Sequence, residues 1–256
     1  MQFEIRRFAS VDSTNRYVLD EARAGAPEGL VAVADHQEAG RGRLGRVWTA
    51  PPGSSLLVSV LFRPRLAADR LGLVTMAAGV ALAEAVEQVA GFAVALKWPN
   101  DLVVDDRKLA GVLAEAELAD GAAVLVVGTG CNVDWPDFPP ELAGTATACN
   151  VEAGHAVDRD ALLTAYLDRL LDRYAALEDV AAAYRGRLST VGRRVRVEPT
   201  RPDAEPLFGV ATAVDEAGRL VVVDDDGAHH VLAAGDVFHL RADPEASEPI
   251  ADRPET

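Results

Sequence analysis

The run Gly40-Arg41-Gly42-Arg43-Leu44-Gly45-Arg46-Val47-Trp48 constrains this chain more than any other stretch. Three arginines alternate with three glycines, and the segment Thr49-Ala50-Pro51-Pro52-Gly53 that follows cannot continue as a helix. An apolar, strand-like run at residues 30–34 comes before it, so the loop satisfies G-x-G-x-x-G after a strand. The dinucleotide reading fails on context. That fingerprint opens a helix and is followed about 20 residues later by an acid for the ribose, whereas the first acid downstream here is Asp69. A Walker loop needs Gly-Lys-Ser/Thr, which is absent. What remains is a loop for a small anion in an acidic protein. The chain has a formal charge of -15, yet residues 39–68 hold five arginines and no Asp or Glu. Glycine lets the backbone approach closely, and guanidiniums bind carboxylates and phosphates through paired donors.

Composition sets the class. At 256 residues, 49% hydrophobic and 25% charged, the chain is an ordinary globular one, with room for a larger and a smaller domain. It has no run of 18 or more uncharged apolar residues, and Glu4, Arg6 and Arg7 interrupt any signal-peptide core. The expectation is a cytoplasmic protein with no membrane partner. The negative balance argues against nucleic acid as a partner. Cys131 and Cys149 lack metal or redox spacing and are expected as buried thiols. Only two of the 25 basic residues are lysine, Lys97 and Lys108. A compact ammonium does at a tight phosphate or carboxylate contact what arginine cannot.

Periodicity predicts strands at residues 3–8, 30–34, 54–62, 92–98, 101–104, 108–118 and 122–133, the last two joined by the turn Ala119-Asp120-Gly121. Helices are expected after Asp12-Ser13-Thr14-Asn15, at 67–89 and at 159–184. Four capping residue types in a row exceed what one helix needs. From Arg193 the period changes to two over five short strands, which suggests a small β-barrel. The fold class is α+β, with domains at 1–188 and 189–241 and an acidic tail, 242–256, expected to be disordered.

Three further motifs converge on the loop. Lys97-Trp98-Pro99-Asn100-Asp101 sets an Asp beside an Asn, which suits Mg²⁺ bridging substrate phosphates. Arg107-Lys108-Leu109-Ala110-Gly111 starts a strand with a lysine, and Gly128-Thr129-Gly130-Cys131-Asn132 places glycines inside one, as where a ligand lies against backbone.

In this order, with Ser13-Thr14-Asn15 and Gln37, the motifs resemble those of the biotin-protein ligases, from about Ser10 to Arg241. The resemblance implies a mixed-sheet catalytic domain of the class II synthetase-like biotin/lipoate ligase fold and a C-terminal SH3-like barrel. It also implies two-step chemistry, in which biotin and MgATP give biotinyl-5'-AMP and the biotinyl group passes to a lysine of a biotin carboxyl carrier protein domain. By motif position, Ser13, Thr14, Asn15, Gln37, Gly40, Arg41, Gly42, Lys108, Gly111 and Gly130 would hold biotin. Arg43 and Arg46 would lie over the phosphates, Trp48 would form an apolar wall, and Asn100, Asn132 and Arg241 would serve the nucleotide. Lys108, Arg43 and Arg46 would be catalytic and Asp101 would meet the magnesium. Eleven residues precede Asp12, so the expectation is a short form without a DNA-binding domain or a repressor role, as monomer or weak homodimer. The nearest alternative is a lipoate or octanoate ligase, which would want an apolar tunnel in place of Ser13, Thr14 and Gln37. A non-catalytic biotin-sensing dimer would be expected to lack the lysine or the Asn-Asp pair. A tRNA synthetase-like reading lacks a basic surface. The glycine-arginine loop is expected to order over the acyl-adenylate as a lid.

Overall fold

The apolar runs of the first half of the chain become strands covered on both faces. A computed structural model describes residues 1–119, 122–200 and 205–240. Its first sheet comprises β1 (Glu4–Phe8), β2 (Leu30–Ala34), β3 (Ser55–Phe62), β4 (Ala95–Lys97), β5 (Asp101–Val104), β6 (Arg107–Ala119) and β7 (Ala122–Asn132), in the order β1-β2-β3-β7-β6-β5-β4. The β1–β2 pair is parallel and the others are antiparallel. Every residue of β2 and β3 is buried, which is why these strands read as continuous apolar runs rather than alternating ones.

One face of the sheet packs on α2 (Gly72–Ala90) and α4 (Arg159–Ala175), and α5 (Leu177–Arg185) packs on these two helices. Helix α2 is apolar almost all round because it is buried almost all round, with Leu73, Val74, Val80, Leu82 and Val86 at or near zero exposure. On the other face, α1 (Thr14–Arg23) sets Val18, Leu19 and Ala22 against Leu30, Ala32, Leu61 and Val126. This helix is short and covers one end only. The rest of that face, over β7, β6 and β5, is roofed by the glycine-arginine loop and by residues of a second sheet.

The second sheet contains β8 (Arg194–Glu198), β9 (Leu207–Val214), β10 (Leu220–Asp224), β11 (His229–Leu232) and β12 (Asp236–His239), antiparallel in the order β11-β10-β9-β8-β12. The period-two reading is right, but among the described residues the barrel is not closed: β11 and β12 are the two edges. The sheet is tied to the first by the Trp98 indole, which donates to the Gly218 carbonyl (2.9 Å). A second tie is His239, whose Nδ1 lies 3.1 Å from Asp106 Oδ1 and whose Nε2 lies 3.2 Å from Thr190 Oγ1. Burial holds this imidazole below its usual pKa, against the opposing pull of Asp106. Asp105 and Asp106 both have positive φ (49° and 61°), as the tight turn between β5 and β6 requires.

Three local expectations shift. The strand expected from residue 92 begins at Ala95. The helix expected over 159–184 is two helices, broken at Ala176 (φ -123°, ψ 52°), where neither Gly nor Pro marks the break. A short helix, α3 (Cys149–Ala153), is too brief to show a period. Asp120-Gly121, Arg241 and the tail 242–256 lie outside the described residues.

Candidate active site

Lys108 reaches the cleft through a β-bulge. Asp101 pairs with Gly111 and Leu102 with Ala110, but Val103 pairs with Lys108, so Leu109 is an extra residue. In a regular strand residues 108 and 111 would point to opposite faces; the insertion puts both on one. The Lys108 backbone also pairs with the 145–147 segment, its N–H donating to the Thr145 carbonyl (2.8 Å) and its carbonyl accepting from the Thr147 N–H (2.9 Å). Its ammonium then sits 2.7 Å from Asp101 Oδ1 and 5.7 Å from the centroid of the Trp48 ring.

The strand glycines line the same face. Gly111 pairs with Gly130, and Leu113 with Gly128. A Cβ at Gly111 would stand 3.3 Å from Lys108 Nζ, one at Gly130 would stand 2.8 Å from Trp48 Cε2, and one at Gly128 would overlap the Asn15 amide. The bare strands therefore let three of the chain's own side chains, Lys108, Trp48 and Asn15, lie flat on the sheet.

At the α1 end, the four polar capping types do not cap. Ser13 occupies the N-cap position, yet its hydroxyl makes no capping hydrogen bond, and it lines the cleft. Thr14 donates through both N–H (2.8 Å) and Oγ1 (3.0 Å) to Gln37 Oε1, which leaves the Gln37 NH₂ as a donor at the cleft. Asn15 donates to Glu115 Oε2 (2.7 Å) and accepts from the Ser59 hydroxyl (2.6 Å). Asp12 is spent on the Ser13 N–H and on Arg16.

The loop arginines close the other end. The loop folds back on itself through an Arg41–Val47 bridge and a Trp48 N–H bond to the Gly40 carbonyl (3.0 Å), with Leu44 at φ 54°. Arg41 forms two 3.0 Å contacts with Glu115. Arg43 donates to Asn100 Oδ1 (3.0 Å) and to the Gly235 carbonyl (3.2 Å), and it stands 3.7 Å from Asp236 Oδ1. Burial lowers its pKa, with Asp236 and Asp101 opposing that shift. Arg46 pairs with Asp236, which is 8% exposed. Asp236, Val237 and Phe238 bring the second sheet into the wall of a cleft of about 230 Å³. Sequence reasoning missed all three, since no spacing rule links them to a loop 190 residues away.

Residues 7–134 match the model of the Biotin/lipoate A/B protein ligase family, and residues 190–240 match that of the Biotin protein ligase C terminal domain. The chain is 37% identical over 242 residues to a biotin--[acetyl-CoA-carboxylase] ligase of Mycobacterium tuberculosis, covering 91% of this chain and 88% of that one. The chain belongs to the biotin protein ligase family. Among solved structures it is similar to a biotin protein ligase from Aquifex aeolicus in complex with biotin and ATP (TM-score 0.78, 26% identity, 93% of this chain and 99% of that chain). It is also similar to a biotin protein ligase from Leishmania major in complex with biotinyl-5-AMP (TM-score 0.63, 25% identity, 90% and 99%).

Most of the ligase motif residues meet in this one cleft: Ser13, Thr14, Asn15, Gln37, Arg41, Gly42, Arg43, Arg46, Trp48, Asn100, Asp101, Lys108, Gly111 and Gly130 all line it. Three do not. Gly40 lies outside the cleft lining, against the Trp48 carbonyl. Asn132 is buried and donates to the Thr147 carbonyl (2.9 Å), so it holds the segment that fixes the Lys108 backbone. Arg241 lies outside the described residues. Cys131 is fully buried beside Cys149, and its hydrogen bond to Cys149 and its burial push its pKa well up, as expected of an inert thiol. The cleft lining holds five cations against two carboxylates, Asp101 and Asp236, so it is positive within an acidic protein. No group of three metal-type side chains occurs among the described residues. The donor set therefore fits a magnesium ion carried on nucleotide phosphates, with Asp101 as a protein ligand, better than one held by protein alone.

Proposed function

We propose that this ligase joins the carboxylate of biotin to the α-phosphate of ATP, and then passes the biotinyl group to a lysine on a biotin carboxyl carrier domain. The observation that carries this reading is the position of Lys108. It lies over bare backbone at Gly111, in the same cleft that Ser13, Gln37 and the arginines of the loop line.

In the first step a carboxylate oxygen attacks the α-phosphorus, the bond to the β-phosphate oxygen breaks, and pyrophosphate leaves. Two anions are brought together, so the protein's contribution is alignment and positive charge. Ser13 and Gln37 offer hydrogen bonds to a ureido ring and so orient the acid. In this reading Lys108 meets the acid and the α-phosphate, and Arg43 and Arg46 would face the phosphates. Bound Mg²⁺ would supply further charge to the phosphates, with Asp101 as its protein contact. In the second step the acceptor amine attacks the acyl carbon, the carbon–oxygen bond to phosphate breaks, AMP leaves, and the amine gives up a proton. Trp48, flat on Gly130, shields the anhydride from water.

Ser13 and Gln37 favour biotin over lipoate, whose dithiolane ring has no use for these donors. Incubated with biotin, MgATP and a carrier domain, the protein is expected to raise the carrier's mass by one biotinyl group, with no change when lipoate replaces biotin. A lipoyl shift without a biotinyl one would overturn the assignment.

A further inference from the structure

Four of the five cations lining the cleft have protein partners. Arg41 pairs with Glu115, Arg43 with Asn100 and the Gly235 carbonyl, Arg46 with Asp236, and Lys108 with Asp101. Lys97 is the fifth, and among the described residues its ammonium has neither a hydrogen bond nor an ion pair. It ends β4 directly opposite Asp101 on β5. Cross-strand partners share a face, so Asp101 is the natural counter-ion of Lys97. The bulge at Leu109 brings Lys108 to that carboxylate instead, at 2.7 Å. Half-buried at the cleft wall, Lys97 is held below the usual lysine pKa by burial, with Asp101 and Asp106 opposing and Lys108 and Arg193 adding to the shift. A desolvated cation without a counter-ion gains more from an arriving anion than a paired one does.

We propose that Lys97 is a catalytic residue of the first step alone, binding the β- and γ-phosphates of ATP and stabilising the pyrophosphate as it leaves. This rests on the adenylating role assigned to the cleft. When the bond between the α-phosphorus and the bridging oxygen breaks, the electron pair stays on the β-phosphate oxygen and no proton need move. The charge that develops there lies on the far side of the α-phosphate from the acid, which Lys108 already serves. A cleft with one unpaired ammonium has a place for it. The assignment also gives the second of the chain's two lysines a reason not to be arginine: a point charge follows a departing group that a rigid fork would hold in one geometry.

The two half-reactions separate this role from others. In Lys97→Gln, biotin-dependent exchange between ATP and pyrophosphate is expected to fall about 100-fold, with a raised KM for ATP. Transfer to the carrier from preformed biotinyl-5'-AMP should stay within about twofold of the unsubstituted rate, and Lys97→Arg should recover part of the exchange. Unchanged exchange in Lys97→Gln would overturn the proposal. So would an equal loss of transfer, which would mark Lys97 as a base for the acceptor amine or as a structural residue. Transfer from biotinyl-5'-AMP by the unsubstituted protein is the control for the parent reading. Its absence would overturn that reading, and this one with it, whatever the variants do.

Discussion

Lys108→Ala is expected to slow biotin-dependent pyrophosphate release by about a thousandfold while leaving the protein folded. The magnitude follows from removing a preorganised charge from a partly desolvated site, where one such donor is worth about 100- to 1,000-fold. Lys108 is also the ammonium nearest Asp101, so the variant leaves a carboxylate uncompensated at the point where two anions must meet. The fold should survive, because the backbone bonds of residue 108 to Thr145 and Thr147 do not involve its side chain. Lys108→Arg is not expected to rescue. A planar, forked guanidinium does not place a single compact charge where the lysine ammonium stands, 2.7 Å from Asp101 Oδ1. A near-normal rate in Lys108→Ala would remove this residue from the chemistry.

Gly130→Ala is expected to lower kcat/KM for ATP by about 100-fold, although it adds a single methyl group to a residue that has no side chain of its own. Gly130 lies within β7, paired on one side with Leu57 of β3 and on the other with Gly111 of β6, so its backbone cannot retreat. The new Cβ would meet three ring atoms of Trp48 at 2.8, 3.0 and 3.1 Å, tighter than carbon atoms tolerate. The ring must move, and no hydrogen bond of its own opposes the push: the indole N–H is buried without a hydrogen-bond partner among the described residues. A displacement of about 1 Å of a wall that aligns substrates costs about 100-fold. The change is readable without substrate. Trp98 and Trp135 are 2% and 5% exposed, so a red shift in tryptophan emission would report Trp48. Unchanged emission together with unchanged ATP kinetics would show that Trp48 does not rest on Gly130.

Much of this site is legible in the chain because its chemistry is local. The glycine-arginine loop declares itself by excluding acids, and the prolines after it exclude the helix of a dinucleotide site. The surplus of capping residues at 12–15 is real: none of them caps, and Ser13 and Thr14 turn to the cleft. The glycines inside β6 and β7 mark close approach, as expected, but the groups lying on them are Lys108, Trp48 and Asn15. What stays hidden depends on partners far apart in sequence. Asp236 engages Arg46 across 190 residues and sits in an unremarkable short strand, so no spacing rule finds it. The bulge that turns Lys108 into the cleft is invisible because Leu109 reads as an ordinary apolar strand residue. The break between α4 and α5 at Ala176 lacks the Gly or Pro by which breaks are read.

The measurement that bears most directly on the whole account needs no carrier: protein mixed with biotin and α-labelled MgATP, quenched and resolved for the acyl-adenylate. The cleft described above predicts about one equivalent of labelled biotinyl-5'-AMP retained on the protein, dependent on biotin, with none formed when lipoate is supplied. Absence of any biotin-dependent adenylate, or its appearance with lipoate alone, would contradict it.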